Sequence, residues 1–182
     1  MLDPGGNLWL AAGNPPDTSK PTVLAKDVRT FQVLDPAHYL ILTTDDKLQP
    51  HSLNGGPEGP VYSNIWAFQQ TGDGSLFTIS GFDVLRREQP ALEIDTNVQS
   101  FQAMDANTIF FLKYDGSLTL RRTANVQLQS QIDAPIAGNV RSFQALDTKT
   151  VFILDEKRQL WLEVGDFGRE VPTKVLVADN VR

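Results

Sequence analysis

VRSFQALDTKTVFILDEKRQLWLE, residues 140–163, decides the reading of the fold because the chain repeats it. It recurs as VQSFQAMDANTIFFLKYDGSLTLR from Val98 and as VRTFQVLDPAHYLILTTDDKLQPH from Val28. Two shorter echoes, GGNLWLA near the N-terminus and NIWAFQQTGDGSLFTI from Asn64, keep only the end of the unit. Aligning the leucine after the second turn of each unit gives Leu8, Leu48, Leu76, Leu118 and Leu160, at steps of 40, 28, 42 and 42 residues. A period of roughly 42 residues holds four short strands and their turns, the size of a propeller blade.

The last unit reads as four strands, at 140–146, 150–154, 159–164 and 173–178, with a longer loop at 165–172 before the fourth. Val, Phe, Ile and Trp fill these segments, as strand propensity favours. Apolar residues alternate or run in short blocks and turn residues interrupt them, which excludes a helical reading. Asp35, Asp105 and Asp147 each close a first strand, where a short carboxylate can accept from amides just ahead of it. Gly5-Gly6, Asp73-Gly74 and Asp115-Gly116 supply second turns whose tight geometry needs positive φ. The step of 28 is short by about 14 residues, and NGGPEGP at 54–60 marks the unit expected to be degenerate. The expected fold is an all-β propeller of four-stranded blades built as one repeat domain over residues 1–182. Five blades are expected, one degenerate and one shared by the termini, within a longer polypeptide if the array continues. A β-trefoil, the alternative, predicts three units.

The chain has 182 residues with 41% hydrophobic and 21% charged, a globular composition that needs no staple. The net charge of −6 and scattered basic residues exclude the electrostatic footprint of a nucleic-acid binder. No apolar run approaches the ~18 residues of a membrane-spanning helix. With no cysteine, thiolate chemistry is excluded. The histidines, His38 and His51, lack metal-ligand spacing. No nucleophile elbow, phosphate loop or dinucleotide fingerprint occurs. The expectation is therefore a non-enzymatic recognition module with no cofactor and no metal, in a compartment the sequence does not name.

Alternation along the first strand sets Val28, Thr30, Gln32 and Leu34 on one face and Arg29, Phe31 and Val33 on the other. Both faces carry apolar residues, as expected of a sheet packed between two neighbours. Phe31, Phe101 and Phe143 read as wedges between blades. Gln32, Gln102 and Gln144 read either as amides bonded to the adjacent blade's backbone or as a polar ring offered to a ligand. Arg29, Arg141 and Arg182 could line a channel. Trp9 and Trp161, with Phe77 aligned to them, occupy one position of the unit and suit stacking on a sugar.

In its strand, Asp turn, strand, Asp-Gly turn, Leu-Trp strand rhythm, the chain resembles bacterial and fungal tandem-repeat β-propeller lectins, the tachylectin-2-like five-bladed proteins. That resemblance implies glycan binding between adjacent blades, with avidity from repeated sites. The ligand candidates are Trp9, Trp161, Phe77, Gln32, Gln102, Gln144, Arg29 and Arg141. The other reading is a protein-interaction scaffold within a larger secreted or toxin-like protein. A homo-oligomer formed through the incomplete terminal blade is expected under either.

Overall fold

A computed structural model describes residues 1–12, 17–54, 56–125 and 130–181, and every regular element within them is a strand. The chain divides into two compact units, Met1–Phe68 and Gln69–Arg182. In the first, β1 (Leu8–Ala12) and β2 (Asp17–Ala25) form a two-stranded antiparallel sheet. Next, β3 (Val28–Val33), β4 (His38–Thr43), β5 (Leu48–Ser52) and β6 (Gly56–Pro57) form a four-stranded meander in chain order. Leu8 of the small sheet packs with Val28, Tyr39 and Ile41 of the meander as one buried cluster.

β7 (Ile65–Gln70) crosses the boundary between the units and is the end strand of the sheet ordered β10-β9-β8-β7. That sheet continues in the second unit with β8 (Leu76–Ser80), β9 (Val84–Glu88) and β10 (Ala91–Asp95). Two complete meanders follow: β11 (Val98–Asp105), β12 (Thr108–Lys113), β13 (Leu118–Asn125) and β14 (Ser130–Ala137), then β15 (Val140–Asp147), β16 (Thr150–Asp155), β17 (Leu160–Val164) and β18 (Thr173–Ala178). Phe110, Leu112, Leu118 and Leu120 of the former bury against Val140, Ala145, Val151 and Ile153 of the latter. The β11–β14 sheet carries apolar side chains on both faces, packing through Phe101 on Phe77 and through Phe110, Leu112, Leu118 and Leu120 on the sheet that follows.

One backbone device recurs five times among the described residues. The amides of the residues that open β3, β7, β11 and β15, and that of Val181 after β18, each donate to the carbonyl of a left-handed turn residue earlier in the chain. Val28 donates to Gly6, Ile65 to Asp46, Val98 to Asp83, Val140 to Gly116 and Val181 to Arg158. The five acceptor residues have φ of 78°, 61°, 59°, 79° and 63°. The donor is itself preceded by a left-handed Asp or Asn, at Asp27, Asn64, Asn97, Asn139 and Asn180. Short polar side chains tolerate that conformation because they can bond locally. Gly116 has a further reason to lack a side chain, since a Cβ there would lie 3.2 Å from the Asn139 Cα.

This device corrects the sequence alignment. Asp73-Gly74 turns between β7 and β8, so it is a first turn, and Leu76 lies on a second strand. The second turn of that sheet is Gly81-Phe82-Asp83, whose left-handed residues are Phe82 and Asp83. Leu85, 0% exposed on β9, is the true counterpart of Leu8, Leu48, Leu118 and Leu160. The corrected steps are 40, 37, 33 and 42 residues, and the sheet of β7–β10 has all its strands. The shortening expected at 54–60 falls on the fourth strand β6, reduced to two residues; Gly55 lies outside the described residues.

Candidate functional site

Two glutamines on first strands, Gln102 and Gln69, are clamps. Gln102 Nε2 donates to the Ala145 carbonyl at 2.7 Å, and the Ala145 amide donates back to Gln102 Oε1 at 2.8 Å. Gln69 makes the same pair with Ala103, both bonds at 2.8 Å. A carboxamide offers one acceptor and two donors on adjacent atoms, so it can satisfy one residue's amide and carbonyl together. Gln102 is thereby committed to structure. Gln32, half-buried on β3, is also engaged. Gln144 is exposed. Gln69 escaped sequence reasoning because NIWAFQQ was aligned to a second strand; its signal is the Phe-Gln pair shared by Phe68-Gln69, Phe101-Gln102 and Phe143-Gln144.

Trp9 and Trp161 do occupy one position. Each indole Nε1 donates to the aspartate that opens its own second turn, Trp9 to Asp3 at 2.9 Å and Trp161 to Asp155 at 3.1 Å. The Trp9 bond, followed by those from Asn7, lowers the Asp3 pKa to about 2. Phe77 is not part of this set. It lies on a second strand, 2% exposed, with its ring 6.5 Å from Phe101, as Phe110 lies 6.4 Å from Phe143. No ligand could stack on Phe77 while that joint holds. Arg29 pairs with Asp46 at 2.5 Å and donates to the Ile65 carbonyl at 2.9 Å. Arg141 is exposed, and Arg182 lies outside the described residues.

Two features of the second unit are open to partners. A cleft of about 320 Å³ is lined by Trp161 with Asn139, Asp155, Glu156, Lys157 and Lys174 among others. The Lys174 ammonium sits 4.9 Å from the Trp161 ring centroid and 2.8 Å from the buried Glu163 carboxylate, so the ring already has a cation over it. The other feature is β18, the last strand of its sheet. Val175, Leu176 and Val177 are exposed in succession, at 50%, 45% and 50%. An outer strand carrying such a run leaves an unpaired row of backbone groups beside apolar side chains.

Of the histidines, His38 is held by Asp35 through Nδ1 at 2.8 Å, which raises its pKa. His51 stacks on Tyr39 with centroids 5.5 Å apart, and burial lowers its pKa.

Asp73, in the corrected first turn, accepts from the Thr71 hydroxyl at 2.6 Å, the Ser75 amide at 3.0 Å and the Ala106 amide at 2.8 Å. Thr71, Ser75 and Ala106 together lower its pKa to about 2. A lowered carboxylate pKa adds stability above the ordinary carboxylate range and loses it as pH falls through the folded value. Asp73→Asn should therefore melt lower than the parent at pH 7, and the gap in Tm should close between pH 4 and 2. A gap unchanged over that window would contradict the assignment.

No known protein-family profile and no curated protein sequence matches the chain. Solved structures do. The chain is similar to the WD40 repeats of RRP9 with a TM-score of 0.59 at 14% identity, covering 93% of this chain and 56% of that one. It is similar to the N-terminal domain of Nup159 with a TM-score of 0.57 at 12% identity, covering 82% and 44%. It is similar to the WD40 domain of SCAP from fission yeast with a TM-score of 0.51 at 10% identity, covering 85% and 42%. The fold is a β-propeller. Its sheets are therefore blades, and the clamps and left-handed turns described above are the blade-to-blade joints. The chain spans about half the length of the propellers it matches. No helix among the described residues is long and apolar enough to cross a membrane.

Proposed function

We propose that this propeller is a recognition module without catalytic chemistry and that it works as a protein-interaction scaffold. The observation that carries the reading is the outer edge of β18, where Val175, Leu176 and Val177 lie exposed beside the blade's last row of backbone groups. An extended partner segment can add to such an edge, its main chain supplying affinity and its alternate side chains specificity. The likeness to WD40 domains supports the same reading at the level of fold alone. Selection of displayed random peptides on the immobilised full chain should enrich short, β-branched, apolar sequences. Leu176→Asp should weaken a selected peptide about tenfold or more. Enrichment that Leu176→Asp leaves unchanged would reject the edge.

A glycan site is the second reading, favoured by the aromatic and polar lining of the cleft at Trp161. A sugar stacking there must displace Lys174 from the ring. A glycan array compared between the parent and Trp161→Ala tests it, and loss of a specific signal in the variant would favour this reading over the first.

A further inference from the structure

Two arginines of the second unit are buried, Arg87 on β9 at 4% exposure and Arg121 on β13 at 7%. Arg121 faces two carboxylates, Asp133 at 2.5 Å and Asp95 at 3.1 Å, and Lys113 shares Asp95 at 2.8 Å. Those carboxylates are thus already divided between two cations. Among the described residues Arg87 pairs with neither. Its Nη1 donates to the Ala106 carbonyl at 3.2 Å, while Nε and Nη2 have no partner there. These two atoms are neighbours on the planar guanidinium. Their N–H groups lie side by side along one edge, the fork with which arginine takes an anion.

Arg87 and Arg121 both line a cavity of about 10 Å³. Asn107, Thr108 and Thr123 add polar side chains to its wall, and the rest of the lining is apolar. No carboxylate stands among the described lining residues. A space of that size admits a single water-sized occupant. A phosphate or the carboxylate of a peptide is too large for it.

Charge decides the kind of occupant. A buried lysine can shed its proton, whereas arginine keeps its charge at any ordinary pH. A buried charge without a counter-charge costs far more than a buried dipole without a partner. Water would offer an oxygen to the open edge and leave the charge uncompensated. A halide-sized anion supplies the acceptor and the charge together. We propose that this cavity binds a chloride ion, held by the Nε–Nη2 edge of Arg87. The Arg121 guanidinium and the hydroxyls of Thr108 and Thr123 make the remaining wall favourable to an anion. Bound there, the ion ties β9 to the turn between β11 and β12 and to β13.

Thermal unfolding of the full chain tests this as chloride replaces gluconate at constant ionic strength. Gluconate carries the same charge and is too large for the cavity. The parent's Tm should rise with chloride by roughly 2–4 °C and then level off, as one saturable site requires. Arg87→Met removes the fork; it should melt no lower than the parent in gluconate and show no such rise. Arg86→Met, at a half-exposed side chain on the same strand, should keep the rise. A parent whose Tm does not respond, or an equal rise in Arg87→Met, would overturn the proposal and leave water as the occupant. Should Arg87→Met fail to fold, parent crystals soaked in bromide decide. An anomalous peak within hydrogen-bonding reach of Arg87 Nε and Nη2 is expected, and its absence from a soaked crystal would overturn the site. Leu176→Asp, which tests the β18 edge, should leave the chloride response intact, so the two readings can fail independently.

Discussion

Gln102→Leu is expected to lower the unfolding free energy by about 2–5 kcal/mol, while Gln144→Leu lowers it by less than about 0.5 kcal/mol. The two glutamines sit at the same place in consecutive copies of one sequence, so propensity and strand position cancel in the comparison. The difference lies in what faces them. Ala145 is 3% exposed, and its amide and carbonyl both bond to Gln102. Leucine would leave both backbone groups buried without partners, at about 1–3 kcal/mol each. Gln144 faces solvent, where water replaces any bond it makes. Gln69→Leu should behave like Gln102→Leu because it clamps Ala103, itself 3% exposed. Urea unfolding of the three variants measures this, and equal losses for Gln102 and Gln144 would show that the clamp is not what stabilises the joint.

Arg121→Met should cost about 2–4 kcal/mol. Arg121 is 7% exposed on β13 and donates through Nε to Asp133 at 2.5 Å and through Nη2 to Asp95 at 3.1 Å. Nη1 bonds the Ile94 carbonyl, and the guanidinium stacks 5.1 Å from the Phe111 ring centroid. Burial alone would lower its pKa, but the Asp133 and Asp95 carboxylates hold it above the ordinary value. The residue thus ties the end of β10 to the outer strands of the next blade. Removing it leaves Asp133 without its partner and Asp95 with Lys113 alone, at 2.8 Å; that remaining pair and the near-half exposure of Asp133 keep the cost below that of a fully buried pair. The neighbouring Arg87 provides the contrast. It is 4% exposed, its Nη1 reaches the Ala106 carbonyl at 3.2 Å, and its Nε and Nη2 have no partner among the described residues. Arg87→Met should therefore be close to neutral or stabilising, because it removes a buried charge whose donors are unmet. Chemical denaturation of both variants in parallel checks the pair, and a larger loss at Arg87 than at Arg121 would reverse the argument.

Much of the fold was legible because strand, turn and strand leave local marks. The strand boundaries of the last unit came out within a residue or so, since alternation and the Asp turns belong to contiguous residues. The register of the β7–β10 blade did not. Asp73-Gly74 imitates a second turn, and the true one, Gly81-Phe82-Asp83, has Phe82 and Asp83 as its left-handed residues, of which one is a bulky aromatic that gives no turn signal. Phe77 was drawn into the aromatic column by that slip and is in fact a core residue.

The candidate site was legible as residue types and not as roles. Trp9, Trp161 and the first-strand glutamines could each be singled out because they recur. Whether a recurrent polar group meets a backbone or a ligand depends on what stands in front of its strand, and that neighbour lies about 34–43 residues away in sequence.

By itself, then, the sequence VRSFQALDTKTVFILDEKRQLWLE and its copies determined the repeat, the four-stranded unit and the chemistry of each position, because these follow from local periodicity and turn geometry. Only the tertiary structure decided that Gln102 is a clamp while Gln144 is open. The two side chains are the same, and a hydrogen bond is worth most where water is excluded, which only the packing of one blade on the next can bring about.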